Sequence, residues 1–317
     1  MRALPLRLLR RSVDVIVVAL LVVAFTALLV RLTPGDPARA ILGERASDSS
    51  VAALREELGL NQSLSTQIGD TVSHAFVGDL GTSLVRRNTS VMSIIGEALP
   101  ITLSLILGAV LISVLIGIPL GLAGALGGSR RVDRLVTLFS ISVLSVPPFV
   151  LSLLLLLVLA LGLGLAPAGG WAGSWPENLR FAWMPSIALA GLLMPQVLRT
   201  TRQTARELQS HEFVEAAEAR GLSPTRVALR HILPNSALPI ITIIGFNAAA
   251  LLGGAVVVEA VFGIPGFGQV LVDAVQSRDY PVIQGVALMT ALVVVLLNLL
   301  IDVVYAIADP RSRVAAS

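Results

Sequence analysis

Few side chains in this sequence are equipped for bond-making chemistry. There is no cysteine, which excludes disulfides, thiol catalysis and thiolate metal sites. The three histidines, His74, His211 and His231, do not fall at metal-ligand spacing. No HExxH, nucleophile elbow or intramembrane protease pair is present, and the serines and aspartates assemble into no triad. No catalytic, cofactor or metal site is therefore expected. A phosphate-cradling loop needs GxxxxGK[ST], because its lysine reaches the phosphates. All 23 basic residues are arginine, so this chain cannot carry that loop, and any ATP that drives it must be bound by a partner. The alternative energy source is an ion gradient, which uses ionisable groups inside the membrane. Asp14, Glu259 and Asp302, with Asn247 and Asn298, are the polar residues in or beside apolar stretches. None is squarely central, which suits interfacial or interhelical hydrogen bonding better than a proton relay. Glu259 or Asp302 is the relay to test if transport is ion-coupled.

The elements that must position these residues follow from the solvent. The chain has 317 residues, a mean hydropathy of +0.85 and only 14% charged residues, far more apolar than a soluble protein. A run of about 20 apolar residues spans a bilayer core as helix. Six stretches lack Asp, Glu, Lys and Arg: 15–30, 98–129, 135–176, 181–198, 231–258 and 280–301. They predict an all-α integral membrane protein with six transmembrane helices over 12–32, 100–127, 135–161, 181–198, 238–259 and 282–306. The Gly-, Pro- and Trp-rich end of the third stretch, 162–176, is expected to be an interfacial loop. Fifteen of the 23 arginines cluster before the first helix, after the second, between the fourth and fifth, and at the end of the chain. Six spans place all four clusters on one side, which the positive-inside rule makes cytoplasmic. Residues 1–11 and 309–317 are then cytoplasmic tails, 199–237 is a cytoplasmic loop, and 98–308 is the helical core. The pI near 10.4 reflects these arginines and fits an anionic leaflet better than nucleic acid. The basic start, apolar run and Ala-Arg-Ala at 38–40 also resemble a cleavable signal peptide, but the run is longer than a signal core, so it is expected to stay as an anchor.

Residues 33–97 form a small extracytoplasmic domain between the first two spans, with eight acids against five arginines. Within it, 47–61 predicts a short helix with Ser49 or Ser50 as N-cap, Leu54 and Leu58 as buried stripe and Gly59 as its stop, with Leu60 behind it. In the second span Gly117, Gly121 and Gly124 recur at helix spacing, which lets helix backbones approach closely. Pro119, Pro147, Pro148, Pro195 and Pro239 are expected to kink or end helices.

The cytoplasmic stretch 211–235 puts six charged side chains and two prolines between apolar runs. Ser210 is a suitable N-cap, Glu212 and Glu215 complement the dipole of the first turns, and Gly221 stops the helix after Arg220. Ser223-Pro224 opens a second helix carrying Val227, Ala228 and Ile232 toward Pro234. The product is a short rigid helix-turn-helix, and Ala216 and Ala217 are small enough for another protein's surface to close over them.

These residues resemble the EAA loop of bacterial ABC-importer permeases, in which EAA is followed by three residues, Gly, nine residues and I-x-L-P. Glu215, Ala216, Ala217, Gly221, Leu233 and Pro234 match, while His231 stands where many such proteins have Ile. The form "RHILPN" (230–235) resembles the dipeptide and oligopeptide branch (DppB/OppB-like). So do "LTPGDPA" (32–38), "GDLGTSL" (78–84), "LPITLSL" (99–105), "SVPPFV" (145–150), "GGAVVVEAVFGIPGFGQ" (253–269) and "RDYPVIQG" (278–285), so the likeness covers nearly the whole chain. The resemblance implies a type I permease subunit of the bacterial cytoplasmic membrane that imports peptides. It implies a second, homologous permease, two ATPases that hold ATP and Mg, and an extracytoplasmic substrate-binding protein. The six matched residues would couple the chain to an ATPase. Dipeptides, longer peptides, glutathione and nickel complexes are the cargoes of such permeases.

Overall fold

The computed structural model describes residues 46–57, 61–86 and 89–308, together with 17, 20–26, 28 and 38–39. The expected first span over 12–32, the two tails and the Ala-Arg-Ala site therefore lie largely outside the described residues. Among the described residues the regular structure is helical, apart from one antiparallel bridge between Thr82 and Ser90. In chain order the helices are α1 (Asp48–Glu57), α2 (Leu64–Phe76), α3 (Val91–Leu126), α4 (Arg130–Ser145) and α5 (Pro148–Leu155, continued as a π-helix over Leu156–Gly162). There follow α6 (Leu179–Gln209), α7 (Glu212–Ala219), α8 (Pro224–Phe246), α9 (Ala248–Phe262), α10 (Phe267–Ser277) and α11 (Tyr280–Ala308). Among the described residues, α3, α6, α8 and α11 can by length and composition each cross a bilayer, and the interrupted pairs α4/α5 and α9/α10 raise that number to as many as six.

Two compact units make up the chain, one of residues 1–100 with 269–295 and the other of 101–268 with 296–317. In the first, α1 is capped by Ser47 rather than by Ser49 or Ser50. The Ser47 hydroxyl accepts the Ser50 N–H at 3.2 Å, and its carbonyl accepts the Val51 N–H at 3.1 Å. Starting the helix there places the Asp48 carboxylate in the first turn, where the dipole favours it. The expected Leu54 side chain and residues 58–60 lie outside the described set. The same unit holds a buried carboxylate, Asp279, 3% exposed. It accepts the Ser83 hydroxyl and the N–H groups of Leu84 (3.2 Å) and Val85 (3.4 Å), pinning the 83–85 loop to the turn before α11.

In the second unit α6 is the central helix, with fourteen buried residues from Ala182 to Ala205. Its partner α3 comes close because it presents glycine. A Cβ on Gly121 would stand 2.7 Å from the Leu198 carbonyl oxygen, and one on Gly117 would stand 3.1 Å from that of Met194. Contacts of this kind replace the hydrophobic drive that lipid does not supply. Leu105 and Ala109 of α3 join Ala188 and Leu189 of α6 and Ala255, Val258 and Phe262 of α9 in one core.

Two expected helices are interrupted. The run over 135–161 bends by 100° between α4 and α5, where Pro147 and Pro148 remove two successive N–H donors and Val146 is extended. The run over 238–259 breaks at Asn247, whose amide is held by Gln196 in a reciprocal pair at 2.8 and 3.0 Å. Pro119, Pro195 and Pro239 instead lie inside continuous helices. Residues 163–178 form a loop in which Trp171 and Trp175 pack edge to face at 5.8 Å, and the Gly170 N–H reaches the Phe262 carbonyl at 3.0 Å.

Candidate coupling site

The central helix continues about three turns beyond Leu198, carrying Arg199, Arg202 and Arg206 out to Gln209. Arg202 and Arg206 are i, i+4 neighbours and share one acceptor. Asp133, in the first turn of α4, receives Arg202 at 2.6 Å and Arg206 at 2.9 Å on the same oxygen. Arg206 also donates to the Gly124 carbonyl in the last turn of α3, at 3.4 Å. The ends of three helices are thereby tied together. Burial disfavours the charged form of Asp133, but the hydrogen bonds from Arg202 and Arg206, reinforced by their charges, prevail and hold the carboxyl below its usual range.

Ser210 closes α6 instead of capping the next helix: its hydroxyl donates back to the Glu207 carbonyl at 3.0 Å. The N-cap of α7 is His211, whose extended backbone presents its carbonyl to the Val214 and Glu215 N–H groups at 2.9 and 3.3 Å. His211 has no side-chain cap bond, and its ring lies 5.6 Å from that of Phe213.

Two faces divide α7. Val214 and Ala217, at i and i+3, are buried against Leu122 of α3, Ala205 of α6, and Val227 and Ile232 of α8. Glu212, Glu215, Ala216 and Glu218 are exposed on the remaining surface. Ala217 therefore belongs to this chain's own core and is not available for another protein to close over. The three-residue period leaves only Ala216 of the pair outside. Gly221 stops the helix at φ +80°, a conformation that side-chain-bearing residues adopt at a cost. Its N–H reaches the Glu218 carbonyl at 2.8 Å, and the Leu222 N–H reaches that of Ala217 at 3.3 Å.

Ser223 then precedes Pro224 at the start of α8, without a side-chain cap bond. Val227, Ala228 and Ile232 are all buried, as the sequence pattern implies. Leu233 is half-buried and Pro234 exposed. A π-helical stretch over Ala228–Ile232 precedes them, and the Asn235 side-chain amide donates to the His231 carbonyl at 2.6 Å. Glu215, Ala216, Ala217 and Gly221 thus lie on one short helix and its stop, and Leu233 and Pro234 on the helix packed beside it.

The Asp133 cluster escapes a motif-based reading, because its members lie on two helices 69 residues apart in the chain. The available signal was an acid within the arginine-rich 130–134 segment, facing arginines at i, i+4 spacing.

Glu259 is fully buried. It accepts the Thr102 hydroxyl and the Gly268 N–H at 2.7 Å, while Thr102 accepts the Phe267 N–H at 2.8 Å. A Cβ on Gly266 would fall 2.3 Å from the Glu259 carboxyl carbon, so the 263–268 turn can wrap the carboxylate only with glycine there. Asp302 lies on α11, with its side chain outside the described set. Among the described residues no three His, Asp or Glu side chains gather to hold a metal.

Residues 117–314 match the family model described as binding-protein-dependent transport system inner membrane component, and residues 6–106 match the N-terminal model of such membrane components. The glutathione transport system permease protein GsiC of Salmonella typhimurium is 38% identical over 305 residues, 96% of this chain and 98% of the relative. The probable peptide ABC transporter permease protein y4tP of Sinorhizobium fredii is 37% identical over 310 residues, 96% of this chain and 98% of its own. Among solved structures, the inward-facing MetNI methionine ABC transporter matches at TM-score 0.59 and 17% identity, covering 69% of this chain and 97% of that one. That likeness concerns the fold.

Proposed function

The chain belongs to the binding-protein-dependent transport system inner membrane components, as a multi-pass peptide-type ABC importer permease, and from that premise we propose that it carries peptides inward across the bacterial cytoplasmic membrane under ATP drive. Small peptides, with glutathione among them, are the proposed cargo, because the similar proteins are named for glutathione and peptide transport. The proposed assembly pairs this chain with a second, homologous permease and two ATPases that bind ATP and Mg. An extracytoplasmic binding protein delivers substrate. Both termini and the 199–237 loop face the cytoplasm.

The observation that carries the coupling role is the build of α7. It is a two-turn helix seated on its own chain through Val214 and Ala217, stopped by Gly221, with Glu212, Glu215 and Ala216 left outside. A push on its outer face passes through the seat into α3, α6 and α8. ATPase closure would bias the helices between outward- and inward-facing arrangements. Support for an ion relay is weaker, since the Glu259 carboxylate is fully buried and engaged by Thr102 and Gly268. Uptake of a labelled peptide into vesicles holding the whole assembly tests the reading. It is expected to need hydrolysable ATP and to survive a proton uncoupler. Uptake abolished by the uncoupler and indifferent to ATP overturns it.

A further inference from the structure

Asparagine is among the residues that most favour a helix N-cap, yet Asn247 does not cap the helix it precedes. α9 starts at Ala248 with no side-chain cap bond. The Asn247 amide is turned sideways instead. Its Oδ1 accepts a hydrogen bond from Gln196 Nε2 at 2.8 Å, and its Nδ2 donates to Gln196 Oε1 at 3.0 Å and to the Ile243 carbonyl at 2.7 Å. Gln196 Nε2 also donates to the Leu192 carbonyl at 2.9 Å. All the amide hydrogens of the pair are thus placed, at a site where Asn247 is buried. The backbone follows the side chain. At φ −89° and ψ 0°, Asn247 has a turn conformation rather than the extended one that a capping residue takes.

Both α8 and α9 lie along α6, but different glycines seat them. A Cβ on Gly254 would stand 2.6 Å from Leu192 Cδ1 of α6, and Ala255 and Val258 join the core around Leu189. Before the break, a Cβ on Gly245 would stand 2.6 Å from Ile301 Cδ1 of α11. The outer face at the break is open. Phe246 is 83% exposed, Ala249 and Ala250 are exposed, and a Cβ on Gly253 would meet nothing within 4 Å among the described residues. At its other end α8 begins in the coupling loop, where Val227 and Ile232 form part of the α7 seat.

We propose that Asn247 is a two-position hinge between α8 and α9. In the latched position its amide pairs with Gln196. In the second position the pair opens, the Asn247 backbone extends, and its Oδ1 caps the first-turn N–H groups of α9. Those groups find no water inside a bilayer, so a cap there replaces the hydrogen bonds that the latch gives up. Two satisfied arrangements of one amide lie close enough in energy for a small push to choose between them. The change of ψ at this single residue re-aims α8, and α7 with it, relative to α9. A part for the hinge in transport rests on the proposed coupling role, whereas its two positions do not.

The chain has no cysteine, so two introduced ones are the only label sites it carries. Thr242→Cys on α8 and Val257→Cys on α9 replace exposed residues about 22 Å apart along the helix direction, a span that paired spin labels resolve. Distances are measured on the full chain in lipid nanodiscs, with neither ATPase nor cargo. Protein otherwise wild type is expected to show one main distance, with under about 10% of molecules at a second. Gln196→Leu removes two hydrogen bonds of ordinary net strength, which should favour the second distance roughly 30-fold. Asn247→Ser caps well but is too short to reach Gln196, so it should favour the same second distance, and it carries the test if Gln196→Leu folds poorly. Asn247→Ala does neither and should not show that distance. An unchanged distribution in folded Gln196→Leu or Asn247→Ser protein makes the amide pair a packing contact and overturns the hinge. The second distance persisting in Asn247→Ala overturns it too. In the whole assembly, trapping the ATPases with ATP and vanadate should raise the second distance. No change there, with the variants behaving as expected, overturns the part of the hinge in transport and leaves its two positions standing.

Discussion

Arg202 and Asp133 meet at 2.6 Å across 69 residues of sequence, joining the extended end of α6 to the first turn of α4. Arg206 reaches the same carboxylate oxygen and the Gly124 carbonyl in the last turn of α3. Val214 and Ala217 seat the α7 helix on Leu122 of α3 and Ala205 of α6, the two helices whose ends this charge cluster ties to α4.

Asp133→Asn is expected to loosen that joint. Binding-protein-stimulated ATP hydrolysis should persist while peptide moved per ATP falls severalfold. Measuring uptake and hydrolysis on the same vesicles checks this, and an unchanged ratio removes Asp133 from the coupling path.

The same carboxylate gives a pH dependence. Its folded pKa lies below the ordinary 3.8, so its stabilisation is full above that value and disappears as pH falls through the folded pKa. The melting temperature of wild type should therefore exceed that of Asp133→Asn at neutral pH, and the gap should close below about pH 4. Added salt should narrow the gap as well, because Arg206 is partly exposed.

The two faces of α7 should respond oppositely to bulk. Ala217→Leu forces extra volume into a filled cluster and should cost about 1–3 kcal/mol of stability. Ala216→Leu and Glu215→Trp, on the exposed face, should leave melting nearly unchanged while lowering uptake by tenfold or more. Normal uptake in both exposed-face variants would count against ATPase coupling through α7.

Gly221→Val tests the stop. A β-branched residue at φ +80° costs about 1–2 kcal/mol or more, and the chain should relieve it by re-aiming the turn into α8. Membrane insertion should be normal and peptide uptake should fall steeply, as read by the amount of protein in the membrane and by transport per molecule.

Glu259 separates structure from ion transfer. Glu259→Ala leaves the Thr102 hydroxyl and the Gly268 N–H without their acceptor, at about 1–3 kcal/mol. Glu259→Gln keeps one acceptor oxygen and should retain ATP-driven uptake with little change in stability. Loss of transport in stable Glu259→Gln protein would return the proton relay to consideration.

The membrane class, most helices and the α7 stop were legible because each rests on local chemistry. Apolar runs, prolines, a glycine after Arg220 and the absence of lysine need no knowledge of neighbours. Cap assignment failed at Ser49/Ser50 because the neighbouring Ser47 has the same intrinsic preference, and at Ser210 because that hydroxyl is used to close α6 and leaves His211 to start α7 through its carbonyl. In α7 that phase was set by burying Val214, which carried Ala217 inside and left Ala216 outside. Breaks at Val146–Pro147 and Asn247 differed in the same way: two prolines announce the first, whereas the second depends on an amide pair with Gln196 from a distant helix.

By itself, then, the sequence determined the solvent, the helix content, the motif and the lack of a lysine for a phosphate-cradling loop, because hydropathy and missing side chains are properties of single residues. The tertiary structure decided which residue of a pair faces inward and which acid Arg202 and Arg206 share. Those outcomes depend on distances between segments far apart in the chain, and no local pattern encodes them.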